Sequence, residues 1–281
     1  MSVLTERKEW IDEALARWAR ELQSDASAGR ENLRRSIEYS LVRGGKRFRP
    51  VLSLLIGETF AVSPKRILPW AMAVEMIHTY SLIHDDLPCM DNDNERRGEP
   101  TNHLVFGDAT ALLAGDTLLT ESFGHLARSY EQDPAIALEL VRLLSEASGW
   151  AGMVSGQVMD LQSKEAPLSL AELETMHELK TGALIRVSSE GAAVLCGLPL
   201  SKRKLCREFG ASLGFAFQLQ DDLLDSSQQI ERGSFPDHLG RDATRAKLEQ
   251  VSSRALDCLR QLEAQEGALA DLVRMNLERL H

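Results

Sequence analysis

Apolar residues recur at helical spacing along most of the chain, and this periodicity restricts the fold more than any other feature. In the first segment they stand three, four or seven positions apart, at Leu4, Ile11, Leu15, Trp18 and Leu22. The same period returns in segments 50–83, 109–126, 135–144, 170–195, 205–224 and 248–262. No segment shows a convincing strand pattern, so the sequence predicts an all-α fold.

Composition and charge narrow the function. Only 5% of the 281 residues are aromatic, and the prevalence of Ala, Leu, Glu and Arg favours helices. No linker or repeat divides the chain, which predicts one domain over 1–281. The formal net charge of -10 argues against nucleic acid or an anionic membrane as a partner. A small phosphorylated ligand would then need a local basic cluster or bridging divalent cations.

The four cysteines form no CxxC pair and have no histidine spaced to complete a zinc site, which fits a reducing cytosol. The N-terminal segment is too charged for a signal peptide. No apolar run is long enough to span a membrane. We therefore expect a cytoplasmic protein.

Four carboxylates lie close together in HDDLPCMDND, at Asp85, Asp86, Asp91 and Asp93. Such crowding raises the pKa of the carboxyl groups unless cations neutralise them. Pro88 should end the preceding apolar helix and let Asp91 fold back towards Asp85. The sequence therefore predicts a metal-binding turn.

A second acidic cluster closes the apolar segment GFAFQLQDDLLD. Asp221 and Asp225 are four residues apart and share a helix face, with no lysine or arginine one turn away. Carboxylates of this kind suit Mg²⁺, which takes one or two of them and completes its octahedron with water and phosphate oxygens. Alternatively, each cluster is a solvated surface turn, which is less credible for two clusters that both follow core-like helices.

Cations gather in RGGKRFRP at 43–50 and again directly after the first acidic cluster, at Arg96 and Arg97. Gly44 and Gly45 permit close approach of a ligand to the backbone, and Pro50 is suited to the first turn of a helix. Such a segment can bind phosphate, and its alternative is a basic loop in solvent.

These residues resemble the short-chain trans-prenyl diphosphate synthases, the family of farnesyl and geranylgeranyl diphosphate synthases. The similarity covers about residues 30 to 225. Its motifs are GGKRFRP (44–50), HTYSLIHDDLPCMDNDNERRG (78–98), GQVMDL (156–161), KTGALI (180–185) and FQLQDDLLD (217–225). The resemblance implies a bundle of about ten or more helices around a central cavity, and a homodimer.

The resemblance also implies roles for individual residues. Isopentenyl diphosphate would be held by Lys46, Arg49, His78 and Arg97. The allylic substrate would contact Arg96, Lys180, Thr181 and Gln218. Two to three Mg²⁺ ions would bind at Asp85, Asp91, Asp221 and Asp225, and Asp86, Asp222 and Lys180 would join these aspartates in catalysis. His78, Thr181 and Gln218 have an alternative as ordinary packing residues, whereas Lys180 lies in an apolar run that calls for an anion.

The implied reaction ionises an allylic diphosphate, adds isopentenyl diphosphate to the cation and releases a proton to diphosphate. Tyr80 and Ser81 stand one turn before the aspartates, where the end of the growing chain should lie. The bulk of Tyr80 favours a fifteen-carbon product, although a smaller lining elsewhere would allow twenty. Its alternative is an ordinary core aromatic.

One segment departs from the family. After Asp225 the family has a longer loop with lysines over the allylic diphosphate, but this chain has no lysine between Lys204 and Lys247. Arg232 and Arg241 are candidate replacements, although arginine and lysine are not equivalent. Two alternatives to a prenyl diphosphate synthase follow. One is a class I terpene synthase, but the GGKRFRP segment argues against it. The other is a catalytically weakened regulatory subunit, but both acidic clusters argue against that.

Overall fold

Helices dominate the computed structural model, which describes residues 3–22, 28–225 and 233–278. The helices are α1 (Val3–Glu21), α2 (Ala28–Val42), α3 (Phe48–Thr59), α4 (Pro64–Asp85), α5 (Asn102–Phe106), α6 (Asp108–Ser129), α7 (Pro134–Ser148), α8 (Met153–Ser163), α9 (Leu170–His177), α10 (Ala183–Leu195), α11 (Leu200–Asp225), α12 (Phe235–Leu239), α13 (Arg241–Gln261) and α14 (Ala268–Glu278). The all-α prediction is confirmed. The described strands are two-residue segments, β1 (Glu95–Arg96) and β2 (Glu99–Pro100), paired antiparallel.

Contacts between α-carbons divide the chain into two compact units. The first unit comprises residues 1–54 and 65–141, and the second comprises 55–64 and 142–281. A single domain over 1–281 and a central cavity stay predictions. No helix in the described ranges is both long and apolar enough to cross a membrane.

In the first unit, α4 is the central apolar element and carries the first acidic motif at its end. Twelve of its side chains are buried, among them Trp70, Ile77 and Tyr80. The helix begins at Pro64 and ends at Asp85, three residues before Pro88. Burial of this helix fixes the position at which the aspartates leave the core.

In the second unit, α11 is the corresponding apolar element and ends at Asp225. Its buried side chains form a core cluster with α9, α12 and α13, made of Leu173, Met176, Ala216, Leu219, Leu223, Phe235 and Leu248. The helix α13 has a buried apolar face in this unit, at Leu248, Ala255 and Leu259.

The periodic segment 170–195 is not one regular α-helix. Residues Glu178–Gly182 form a π-helical turn between α9 and α10. At this turn α8 approaches so closely that a Cβ on Gly156 would lie 2.2 Å from the backbone nitrogen of Lys180. π-turns of this kind are frequent at functional sites, and this one carries Lys180 and Thr181.

Candidate active site

The chain reverses at the end of α4 and brings the first acidic motif together. The amide of Asp91 donates to the carbonyl oxygen of Asp85 at 2.9 Å, and the amide of Asn92 donates to that of Leu87 at 3.1 Å. Asn92 adopts a left-handed φ of 54°, which asparagine tolerates well. The predicted return of Asp91 towards Asp85 is therefore confirmed at the backbone.

Asp86 is held inside the first unit by an ion pair. Nε of Arg96, on β1, donates to its Oδ1 at 2.9 Å, and Nη2 of Arg96 reaches Asp93 at 2.8 Å. Burial raises the pKa of Asp86, and Arg96 partly opposes that rise. In this arrangement Asp86 and Arg96 brace the turn, and their catalytic and substrate contacts stay predictions.

The basic segment separates into inward and outward cations. Arg47 has a φ of 50° and a fully buried side chain that bonds to Asp12 at 2.7 Å, to Glu75 at 2.5 Å and to the carbonyl of Leu41 at 2.6 Å. Lys46 is exposed. Arg47 thus anchors the loop, which leaves Lys46 at the surface.

Gly44 and Gly45 lie directly against the side chain of Arg97. Both have positive φ, 64° and 96°, and a Cβ on Gly45 would lie 2.6 Å from the guanidinium of Arg97. Arg97 Nη1 donates to the carbonyl of Gly44 at 2.9 Å. In this structure the glycines therefore make room for the side chain of Arg97.

Arg49 and His78 come together, as their shared predicted role requires. Arg49 Nη1 lies 3.3 Å from His78 Nε2. Burial, followed by the charge of Arg49, holds the pKa of His78 well below its usual range. The neutral imidazole is consequently able to accept a hydrogen bond from the guanidinium.

Arginine side chains line a cavity of about 350 Å³ in the first unit, between α2, α4 and the β-hairpin. The cations that line it are Arg43, Arg96 and Arg97, and Asp86 and Glu99 are also in its wall. Of the four residues predicted to hold isopentenyl diphosphate, only Arg97 is among the described residues of this wall. Arg43 is a cation whose specific role the sequence did not reveal.

In the second unit, Lys180 has a carboxylate partner. Its Nζ donates to Asp160 Oδ2 at 2.6 Å, and both side chains are about one quarter exposed. Asp160 belongs to the GQVMDL motif on α8, four residues after Gly156. The resemblance assigned Asp160 no role, and the available signal was a carboxylate one helical turn after a glycine in the same motif.

A chain of polar contacts fixes the second acidic motif. Thr181 Oγ1 donates to Gln218 Oε1 at 3.3 Å, and Gln218 Nε2 donates to Asp222 Oδ1 at 2.7 Å. The amide of Phe235 donates to Asp222 Oδ2 at 3.0 Å. Burial raises the pKa of Asp222, and these two donors partly oppose that rise. Asp222 therefore joins the end of α11 to the start of α12.

These side chains meet at a cavity of about 510 Å³ in the second unit. Its charged and polar lining includes Asp160, His177, Lys180, Thr181, Gln218, Asp222 and Asp225. Asp225 is exposed and Asp221 is half-buried. Burial lowers the pKa of His177 to about 4, and its ring lies 5.3 Å from that of Phe235. His177 is a lining residue that the sequence analysis did not identify.

The carboxylates fit a metal ion that is only partly held by protein. Among the described residues, no three His, Cys, Asp or Glu side chains are grouped closely enough to hold a metal. A set of one or two carboxylates per ion is nevertheless the arrangement that Mg²⁺ uses with substrate phosphates. Asp85 with Asp91, and Asp221 with Asp225, each offer such a pair.

The two residues predicted to limit chain length are on the last turns of α4. Tyr80 is 6% exposed, and burial raises its pKa to about 12. Ser81 is half-buried, and its hydroxyl donates to the carbonyl of His78 at 2.8 Å. Tyr80 is thus a fixed, bulky group, whereas Ser81 is engaged with its own helix.

The shortened segment after Asp225 falls partly outside the described residues, which exclude 226–232 and therefore Arg232. After these residues, the amide of Gly233 donates to Asp237 at 2.8 Å. Arg241, the other candidate replacement for the missing lysine, is the first residue of α13. A role for either arginine stays a prediction.

Comparisons with known proteins show the family of the chain. The family model "Polyprenyl synthetase" matches residues 30–276. The chain is 39% identical to the farnesyl diphosphate synthase of Bacillus subtilis, over 100% of this chain and 98% of that protein. It is also 39% identical to a geranylgeranyl pyrophosphate synthase of Catharanthus roseus, over 87% and 73%. An FPP/GFPP synthase structure from Zymomonas mobilis superposes with a TM-score of 0.89 at 34% identity, covering 99% of each chain. The chain belongs to the polyprenyl synthetase family.

Proposed function

We propose that this chain is a magnesium-dependent trans-prenyltransferase that condenses isopentenyl diphosphate with dimethylallyl and geranyl diphosphates to give farnesyl diphosphate. Geranylgeranyl diphosphate is the longer alternative product. Family membership and the farnesyl diphosphate synthases among the relatives support the reaction class. The observation that supports two diphosphate substrates is a polar cavity in each unit, lined by three arginines in the first and by Lys180 and aspartates in the second.

The first unit supplies the site for isopentenyl diphosphate. Three arginines line one cavity there, and a terpene synthase, which takes a single diphosphate, has no use for a second cationic site. Arg97 would exchange its hydrogen bonds to the carbonyls of Arg43 and Gly44 for hydrogen bonds to the diphosphate. Lys46 and the pair of Arg49 and His78 would bind from the adjoining loop and helix.

The second unit supplies the site for the allylic diphosphate. Lys180 is already placed by Asp160, and Thr181 and Gln218 are placed by their mutual hydrogen bond. Two to three Mg²⁺ ions in total would be held by the aspartates of each unit, Asp85 and Asp91 in the first and Asp221 and Asp225 in the second. When bound, magnesium neutralises diphosphate oxygens and so favours departure of the leaving group.

The protein's own part in the reaction is binding, orientation and charge stabilisation. The allylic carbon–oxygen bond breaks and its electron pair leaves with diphosphate, to which Lys180 donates a charge-assisted hydrogen bond. The double bond of isopentenyl diphosphate supplies the electrons of the new carbon–carbon bond. A proton then passes to an oxygen of the released diphosphate, so no side chain is required as a base. Tyr80, with Ser81 beside it, would stop the growing chain at fifteen carbons.

We also propose a homodimer, supported by exposed apolar residues on two neighbouring helices. Leu104 and Val105 of α5 are 54% and 47% exposed, and Leu112 and Leu113 of α6 are 45% and 53% exposed. An apolar group of this kind is typical of a protein interface. Light scattering should give the dimer mass for the wild type and the monomer mass for Leu113→Glu.

A cytoplasmic location is the proposal that best fits the cysteines. All four are free thiols, including the exposed Cys89. A reducing compartment would keep them in that state.

The decisive experiment incubates the purified protein with Mg²⁺, isopentenyl diphosphate and, separately, dimethylallyl, geranyl or farnesyl diphosphate. Products are identified by mass after dephosphorylation. Incorporation of isopentenyl units that stops when EDTA removes the metal is expected. Consumption of the allylic substrate without incorporation would instead indicate a terpene synthase. No turnover under any condition would indicate a regulatory subunit.

A pair of variants tests the division between the two sites. Arg97→Gln should raise KM for isopentenyl diphosphate selectively, and Lys180→Gln should act chiefly on the allylic substrate. Lys204→Gln, an exposed lysine near the start of α11, is the matched control and should change neither. Equal effects of the first two variants on both substrates would refute the assignment of sites.

A further inference from the structure

Gly115, on α6, leaves the space that the ring of His84 occupies. His84 is the residue directly before Asp85. His84 Nε2 lies 3.0 Å from the carbonyl oxygen of Leu112. A Cβ on Gly115 would lie 2.1 Å from that nitrogen and 2.4 Å from His84 Cδ2. No other amino acid at position 115 is compatible with this position of the ring.

The ring of His84 also packs against the ring of Tyr80. The two residues are four apart on α4 and therefore share one face of the helix. Their rings meet edge to face, with centroids 5.6 Å apart and an interplanar angle of 75°. Through His84, the Tyr80 ring is thus packed against the backbone of α6.

We propose that Gly115 and His84 are positioning residues that hold the Tyr80 ring and so set the length of the product. The proposal rests on the proposed function, in which the end of the growing chain meets Tyr80. A chain that reaches a supported ring stops there. When the support is removed, the ring yields to the apolar tail and a further five-carbon unit is added.

Gly115→Ala directly tests the contact between Gly115 and His84, because the added methyl group occupies the space of the His84 ring and displaces it. The measured quantity is the ratio of the next longer product to the main product of the wild type. We expect this ratio to rise several-fold, and up to about tenfold for the loss of one aromatic pair. The ratio is independent of any change in total rate.

His84→Ala removes the same support by creating space instead of overlap, so the two variants do not share a folding defect. We expect a rise of similar size. The double variant should show no more than the larger single effect, since both changes abolish one contact. Additive effects would contradict a shared mechanism.

Gly124→Ala is the matched control on the same helix. Its Cβ would meet only the side chain of Arg128, at 3.0 Å, and this side chain is 62% exposed and held by a surface ion pair with Glu121, so it can move aside at little cost. The product ratio should stay at the wild-type value, and a rise equal to that of Gly115→Ala would overturn the proposal. Gly115→Ala and His84→Ala variants that incorporate isopentenyl units at the wild-type ratio would also overturn it. A wild type that incorporates none would instead refute the proposed function.

Discussion

Both acidic motifs contain an Asp-Asp pair, but the second aspartate of each pair is held by a different kind of interaction. In the first unit the second aspartate of the pair, Asp86, is bound by the guanidinium of Arg96. In the second unit its counterpart, Asp222, accepts from the side-chain amide of Gln218 and the backbone amide of Phe235. In both motifs the second aspartate is the buried brace, and the first is half-buried.

The difference extends into the surroundings of each motif. The first unit also contains the buried ion pair between Arg47 and Glu75. The second unit continues its hydrogen-bonded chain to the hydroxyl of Thr181. Loss of one partner of a buried ion pair leaves an uncompensated charge. Substitution of Arg96 should therefore destabilise the protein more than substitution of Gln218.

Arg96→Met should have the largest effect. It leaves Asp86, whose side chain is 5% exposed, without its cation, and we expect a loss of about 2–4 kcal/mol in the free energy of unfolding. Urea unfolding measures it. The loss should grow as the pH rises above the ordinary pKa of an aspartate. Burial raises the pKa of Asp86, and the variant lacks the guanidinium that opposes this rise, so its folded state favours the neutral acid and loses stability as the carboxyl ionises.

Arg142→Met is the control for this substitution. Arg142 pairs with Glu146 on α7, but both side chains are more than half exposed. The expected loss is below about 1 kcal/mol. Equal losses for the two variants would show that Arg96 contributes no more than a surface ion pair.

Gly156→Ala should affect catalysis more than stability. Its Cβ would overlap the backbone of Lys180 and shift the π-helical turn that carries Lys180 and Thr181. A displacement of about 1 Å at reacting groups can cost about 100-fold in kcat/KM, which steady-state kinetics will measure. Gly182→Ala is a control within the same turn, because its Cβ would make only an ordinary contact at 3.5 Å. If both variants retain wild-type kcat/KM, the close approach of α8 does not position Lys180.

The sequence predicted the fold class and the folding back of Asp91 well, because helical periodicity and the proline at position 88 are local signals. It did not predict that Arg47 points inward or that Arg97 lies over Gly45. Both depend on partners distant in sequence, such as Glu75 for Arg47. Asp160 and His177 were missed for the same reason. Each becomes part of a site only when α8, α9 and the π-helical turn are brought together.

Gln218→Met tests the hydrogen-bonded brace and should cost less than Arg96→Met. It removes one of the two donors to Asp222 and keeps the length of the side chain. A buried acceptor that loses a donor costs about 1–3 kcal/mol, and we expect the lower part of that range because the amide of Phe235 still donates to Asp222. Urea unfolding at pH 7 is the measurement. Gln132→Met, at an exposed position, should leave stability unchanged. A loss larger than that of Arg96→Met would reverse the comparison between the two motifs.

Substitution of His177 should have the smallest effect. It concerns the loss of folding stability as the pH falls. Burial lowers its pKa to about 4, so the unfolded chain binds a proton below pH 6.5 that the folded chain does not. Stability from this residue is thus present above pH 6.5 and is lost as the pH falls towards 4. His177→Phe keeps a ring against Phe235 and should recover about 1 kcal/mol of the loss between pH 7 and pH 4.5, given partial exposure. His238→Gln, at an exposed position on α12, should recover none. Equal pH profiles for the wild type and His177→Phe would show that His177 does not contribute to the acid response.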